Sequence, residues 1–162
     1  MDLSLLAFVA LNLVCAVSGG IWKPGDWYER LNRPSWRPPN AAFPIMWAAL
    51  YTMSAVAGWL VWSNASPGQL PLAMAVYGAQ LVFNAAWSWL FFGLRLMRLA
   101  LLDLVALWLS ILAMAIVFWP ISPLATLLVL PYLLWVTIAG VLNLTMIRLN
   151  PDEAGGWLPA RG

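Results

Sequence analysis

Side chains able to do acid–base or metal chemistry are scarce in this chain. It has no histidine and a single cysteine, Cys15, among 162 residues, which removes the commonest metal ligand and general base. One cysteine allows no intrachain disulfide, so its expected place is helix packing. Of the carboxylates, only Asp103 falls inside a long apolar run. A carboxylate within a membrane span marks a functional site by default. Asp103, however, stands about one turn past Arg98, where the spacing predicts pairing with Arg98 or Arg95 or contact with the interface. There is no Cys/His cluster, glycine-rich phosphate loop or nucleophile–base pair, so no catalytic or metal-ligating residue and no obligatory cofactor is expected. Aromatic surface and amides are plentiful instead, and they suit binding.

Residues three and four apart share a helix face, and three such stripes stand out. Tyr77, Gln80, Asn84, Trp87 and Phe91 form one. Pro44, Trp47, Tyr51, Ser54 and Gly58 form a second, and Tyr132, Trp135, Ala139 and Leu142, with Asn143 beside them, form a third. Gln80 and Asn84 facing lipid would leave amides unsatisfied, so their stripe should face a bundle interior. Each stripe alone reads as a packing seam with interhelical hydrogen bonds of about 1 kcal/mol apiece. Together they predict a pocket with flat aromatic walls, suited to a large planar ligand. Turned roughly 160° away on the Gln80 helix, Ala75, Gly78, Ala79, Val82 and Ala86 make a strip of small residues. Such strips let membrane helices approach closely.

The elements that must position these stripes follow from where charge is missing. The chain is 64% hydrophobic and 9% charged. No Asp, Glu, Lys or Arg lies between Arg37 and Arg95, or between Asp103 and Arg148. Charge-free runs of roughly 20 residues match the hydrocarbon core as helices, and they lack the strict alternation of a transmembrane β-barrel. Turn chemistry at Ser63–Pro71, Arg95–Arg98 and Trp119–Pro123 divides the chain into spans 3–21, 43–62, 72–94, 99–119 and 124–147. This predicts an all-α integral membrane protein, a single five-helix domain over 1–150 with a short tail over 151–162.

With five spans, Lys23, Arg30, Arg33, Arg37, Arg95, Arg98, Arg148 and Arg161 all share one face of the membrane. The positive-inside bias then puts the N-terminus outside and the C-terminus in the cytoplasm. The pI of about 9.0 reflects that topology and calls for no nucleic-acid partner. Asp2 and the lack of a leading positive charge argue against a cleaved signal peptide. The loop over 22–42 is rich in Trp, Pro and Arg, where a solvated tether would carry Gly and Ser. It reads as a lid, stiffened by Pro34, Pro38 and Pro39, with Trp36 turned inward.

Read in order, "KPGDWYERLNRPSWRPP" at 23–39, "FPIMWAALY" at 43–51, "QLVFNAAWSWLFFGLR" at 80–95, "ALLDL" at 100–104 and "PYLLWVTIAGVLN" at 131–143 resemble the TspO/MBR family. These are tryptophan-rich sensory proteins related to the mitochondrial translocator protein, or peripheral benzodiazepine receptor. The resemblance implies a five-helix membrane protein, usually a homodimer, that binds porphyrins and, in eukaryotes, cholesterol and synthetic isoquinoline or benzodiazepine drugs. It implies a pocket lined by Trp47, Asn84, Trp87 and Trp135, with Ala139 in its wall and the loop residues Tyr28, Trp36 and Pro39 closing over it. Trp47 and Asn84 match positions that hydrogen-bond drug carbonyls in family members. "GAQLVF" at 78–83 resembles a family dimer motif ending in Val82 and Phe83. The animal proteins' sterol motif is broken, because Leu144 stands where it needs an aromatic, although Arg148 is kept. A bacterial-type member, in the bacterial cell membrane, fits better.

The expected function is tetrapyrrole binding, of protoporphyrin IX type, in porphyrin transport, sensing or disposal. Trp27 and Trp36 would stack on the ring, and Arg30, Arg33 and Arg37 would meet its propionates. Without histidine, conventional His ligation of haem iron is impossible, which favours a metal-free porphyrin over haem. The alternatives are light-dependent porphyrin breakdown, with Trp47 and Trp135 as electron donors, and a sterol- or lipid-binding regulator of other membrane proteins.

Overall fold

The computed structural model describes residues 3–155. Asp2, Arg161 and most of the short tail, which figure in the expectations above, lie outside them. The described residues contain helices and no strand. Five helices are long and apolar enough to cross a membrane, at 19 to 27 residues each, or roughly 29 to 40 Å at the helical rise. They are α1 (Leu3–Ile21), α3 (Ala42–Asn64), α4 (Leu70–Ser88, extended by a π-helical turn Trp89–Gly93), α5 (Met97–Phe118) and α6 (Pro123–Leu149). A short α2 (Asp26–Arg30) lies in the first connection.

Four spans, α3 to α6, start one or two residues before their expected positions, and in three of them a proline stands in the first turn. Proline lacks only an N–H that the first helical turn cannot use, so α3 runs through Pro44, α4 through Pro71 and α6 begins at Pro123. Ser122 caps α6 by accepting from the Ala125 amide at 3.3 Å. The far end of α4 also departs from expectation. It widens into a π turn, with Leu94 N–H bonded to Trp89 O at 2.8 Å and Leu96 N–H to Leu90 O at 2.9 Å. Arg95 then takes φ 58, a left-handed residue that reverses the chain into α5.

Contacts between neighbours close a ring in the order α1–α3–α6–α5–α4. Its main core combines Leu50, Val61, Leu107, Ile111, Met114, Phe118, Val129 and Tyr132. A second cluster sits at the end where the basic residues gather. There Trp27, Tyr28 and Leu31 of the first connection pack with Phe91, Met97, Met146 and Ala154. The helix α1 joins the ring through one stripe only, Phe8, Asn12, Cys15 and Ser18, and its Leu11, Val14 and Val17 point outward.

The expected pairing of Asp103 is not formed. Arg98 donates to Gly155 O at 3.0 Å, and the Arg95 guanidinium lies 5.7 Å from the Trp27 ring centroid. Asp103 Oδ2 is buried with no hydrogen-bond partner among the described residues. Five residues on one helix set Arg98 and Asp103 roughly 140° apart, and Arg95 stands before α5 in the left-handed turn, so neither guanidinium reaches the carboxylate.

Candidate ligand-binding cavity

A cavity of about 990 Å³, partly open to the outside, lies between α1, α3, α4 and α6 beneath the first connection. The α3 wall is periodic: Phe43, Pro44, Trp47, Ala48, Tyr51, Thr52, Ala55 and Val56. Asn84, Trp87 and Ser88 line it from α4, and Phe91 and Phe92 from the π turn. The helix α6 adds Ala139, Leu142, Asn143 and Met146. The first connection closes the basic end with Trp22, Pro24, Tyr28, Glu29, Arg37 and Asn40. Along α1 the lining runs from Leu5 to Gly20, roughly 22 Å at the helical rise.

The aromatic walls hold each other in place. Trp47 stacks on Tyr51, with centroids 5.4 Å apart, and meets Tyr132 edge-on at 6.1 Å. Trp87 lies 5.3 Å from Phe91 and 5.7 Å from Phe92, and Tyr28 meets Phe92 edge-on at 5.5 Å. Behind these rings Asn84 is the hub of a buried network. Its Oδ1 accepts from Tyr51 Oη at 2.7 Å and Cys15 Sγ at 3.3 Å, and its Nδ2 donates to Tyr132 Oη. Cys15 is thus a packing residue that ties α1 to α4. The amide of Asn84 keeps one N–H free for a ligand, while its oxygen is used. The Trp87 indole N–H is buried and has no partner among the described residues, so it is a donor awaiting an acceptor.

Charge enters at the mouth. Arg33 is spent on Glu29 at 2.8 Å. Arg37 lines the cavity and donates to Asn40 Oδ1 at 2.7 Å and Tyr28 Oη at 3.5 Å, with no carboxylate partner among the described residues. Arg30 is exposed and outside the lining.

The structure therefore gathers Trp47, Asn84, Trp87, Ala139, Tyr28, Tyr51 and Phe91 around one space. Five other residues expected there stand elsewhere. Trp36 is 48% exposed and Pro39 is exposed. Neither lines the cavity, because Arg37 and Asn40 of the same segment take the inner positions. Trp27, expected to stack on a ligand, is buried against Phe91 and donates to Glu153 Oε2 at 3.0 Å. Trp135 stands behind Phe43, edge-on at 5.8 Å, so it supports the wall without forming it. Gln80 is buried one turn beyond Asn84. Sequence reasoning missed the whole α1 wall and Trp22. The signal was present in the spacing of Leu5, Val9, Asn12, Ala16 and Gly20.

These features define an α-helical multi-pass membrane protein whose bundle carries an aromatic-lined cavity. The TspO/MBR family profile matches residues 7–149, and the chain belongs to that family. It is 40% identical to Protein CrtK of Rhodobacter capsulatus, covering 94% of this chain and 97% of that one. It is 39% identical to the tryptophan-rich sensory protein of Cereibacter sphaeroides, covering 93% and 94% respectively. The human translocator protein is 34% identical over 80% of this chain and 78% of its own length.

Proposed function

We propose that the protein binds a flat, carboxylate-bearing tetrapyrrole of the protoporphyrin IX type in this cavity, in the service of porphyrin transport, sensing or disposal. The observation that carries the reading is an aromatic chamber with Arg37, which has no carboxylate partner among the described residues, at its mouth. Trp47, Trp87, Phe91 and Phe92 offer flat apolar surface to a macrocycle, and the volume suits a ligand of that size. The propionates at one edge of the ring would meet Arg37 while the other edge lies among apolar side chains. The first connection is then the lid, working through Trp22, Tyr28 and Arg37. The test is a titration with protoporphyrin IX in darkness, read as saturable quenching of tryptophan fluorescence. Arg37→Gln should weaken binding about fivefold, the scale of a partly screened ion pair near 1 kcal/mol. An unchanged dissociation constant would remove the carboxylate from the mouth.

We also propose that two copies pair through the outer face of α4. Val82 is 66% exposed, Ala75 is exposed, and a Cβ added at Gly78 would meet nothing within 4 Å. The strip Ala75, Gly78, Ala79, Val82, Phe83 and Ala86 is thus left uncovered by the protein's own helices at its centre. Gly78→Leu should shift the protein to monomer in mild detergent, measured by light scattering, and leave porphyrin affinity within about twofold, since α4 meets the cavity from its other side. A dimer that survives Gly78→Leu would place the contact elsewhere. The seven described Lys and Arg side chains all belong to one end of the bundle, so we assign that end to the cytoplasm of a bacterial cell. A cytoplasm-active reporter fused after Gly162 should be active, and a silent one would reverse the orientation.

A further inference from the structure

The cavity is unevenly covered. Its lining residues on α4, the π turn and α6 are all buried or half-buried. Exposed lining on the spans belongs to α1 and α3 alone: Val9, Leu13 and Gly20 on one, Pro44, Ala48 and Thr52 on the other. Leu13 is 59% exposed. The opening along the spans therefore lies between α1 and α3. One end of this slit is shut, because a Cβ at Gly58 of α3 would lie 2.7 Å from the Phe8 ring of α1. From Phe8 to Gly20 its edge runs about 18 Å along α1, and neither rim carries an Asp, Glu, Lys or Arg. Such a slit faces hydrocarbon over most of its length.

At the basic end the lining carries two charges among the described residues, Arg37 and Glu29. Tyr28 joins them. Arg37 donates to its hydroxyl at 3.5 Å, and Arg33, which holds Glu29 at 2.8 Å, lies 5.7 Å from its ring centroid. The Glu29 side chain is still 53% exposed, and a carboxylate can accept several hydrogen bonds. Apolar walls open to the bilayer gain dispersion contacts from an inserted chain, and a cation beside a carboxylate complements a phosphate beside an ammonium. We propose that the slit and mouth together form a site for one zwitterionic aminophospholipid of the phosphatidylethanolamine type. Its phosphate meets Arg37, its ammonium meets Glu29, and one acyl chain enters between α1 and α3 against Val9, Leu13 and Ala16. One leaflet gives a chain a reach of about 15 Å, within the length of the α1 lining. The proposal rests on reading this cavity as a ligand site, and names the membrane component with which a porphyrin would compete there.

The experiment offers the purified protein palmitoyl-oleoyl phosphatidylethanolamine or the phosphatidylglycerol with the same chains, and reads bound lipid by native mass spectrometry. The wild type should hold one phosphatidylethanolamine per protomer, about fivefold more tightly than phosphatidylglycerol, the scale of a partly screened ion pair. Glu29→Gln removes the carboxylate and frees Arg33, so it should abolish or reverse that preference. Ala48→Trp, which fills the slit from its α3 rim, should reduce retention of both lipids at least fivefold, with its thermal midpoint measured to confirm folding. Equal binding of the two lipids by the wild type, or no binding of either, overturns the proposal. So does a preference that survives Glu29→Gln. Undiminished retention by Ala48→Trp overturns it as well, because the lipid would then lie on the outer surface. A parallel protoporphyrin IX titration keeps the readings apart: its failure would remove the porphyrin and leave the lipid preference standing.

Discussion

Replacing Gly58 with valine is expected to lower the free energy of unfolding by about 3 kcal/mol, the upper end for overpacking a filled interior. The cause is a contact between three helices. Even a methyl group at Gly58 would sit 2.7 Å from Phe8 Cδ1 and from Tyr77 Cε2, closer than carbon atoms approach. Those two rings are themselves packed edge-on at 5.2 Å, and Phe8 also meets Trp62 at 6.3 Å, so neither can swing aside freely. Moving Tyr77 breaks its bond to Asn12, and α1 has only the Phe8–Asn12–Cys15–Ser18 stripe with which to stay seated. Gly140→Val in α6 is the control, because nothing stands within 4 Å of a Cβ there. It should change stability by less than about 0.5 kcal/mol, as surface substitutions do. The pair is compared by unfolding in detergent, with ligand titration beside it. Since α1 forms one wall of the cavity, Gly58→Val should also lose most porphyrin binding. If the two glycine variants unfold alike, the close approach of α1, α3 and α4 at Gly58 is wrong.

The contrast between these glycines shows what was legible in the sequence. Five spans could be read because an apolar run of about 20 residues has few other uses, and because Pro71, Ser122–Pro123 and Arg95 punctuate them. The stripe holding Asn84 and Trp87 could be read because an amide at depth must face inward. Periodicity does not say which stripes become neighbours. Ser54 and Gly58 were legible as one face of α3, but not that Phe8 would fill the space beside them. Trp135 and Ala139 share a face of α6, yet the small residue touches the cavity and the indole lies behind Phe43. The distinction depends on a side chain from another helix. The π turn at Trp89–Gly93 left no signal, since "WLFFG" contains no residue that excludes an ordinary helical turn. The first connection was legible as stiff and inward-facing in part. Which aromatic turned inward was not, because Trp27 finds its partner more than a hundred residues away.

That distant partner leads to the second large effect, which concerns the segment 150–155. Its polar sequence, "NPDEAG", reads as a solvated tail, yet Ala154 is fully buried among Trp27, Tyr28 and Phe91. Asn150 grips the first connection from both sides. Its Oδ1 accepts from Asn32 N at 2.8 Å, and its Nδ2 donates to Asn32 O at 2.9 Å. Further on, Glu153 accepts from Trp27, and Gly155, at φ 70, turns its carbonyl to Arg98. A side chain at Gly155 would stand 2.9 Å from Arg95 O, so this glycine is what allows the segment to lie so close to the turn before α5. The segment is a strap over the connection that closes the cavity, tied to the bundle at α6 and again at α5. Asn150→Ala removes two hydrogen bonds to Asn32 at about 1 kcal/mol each. Residues 26–41 should then exchange backbone hydrogens about tenfold faster, and protoporphyrin IX should leave the cavity faster by a similar factor, measured by stopped-flow recovery of tryptophan fluorescence. The spans themselves should exchange as before, because Asn150 lies beyond the last turn of α6. Faster exchange spread evenly over connection and helices would mean that Asn150 supports the whole bundle. Unchanged exchange at 26–41 would mean that the connection holds itself closed through Tyr28, Arg33 and Arg37 alone. The strap accounts for a rigid cover at the cavity mouth better than proline content does: Pro34, Pro38 and Pro39 stiffen the segment, but only contacts from the far end of the chain fix where it lies.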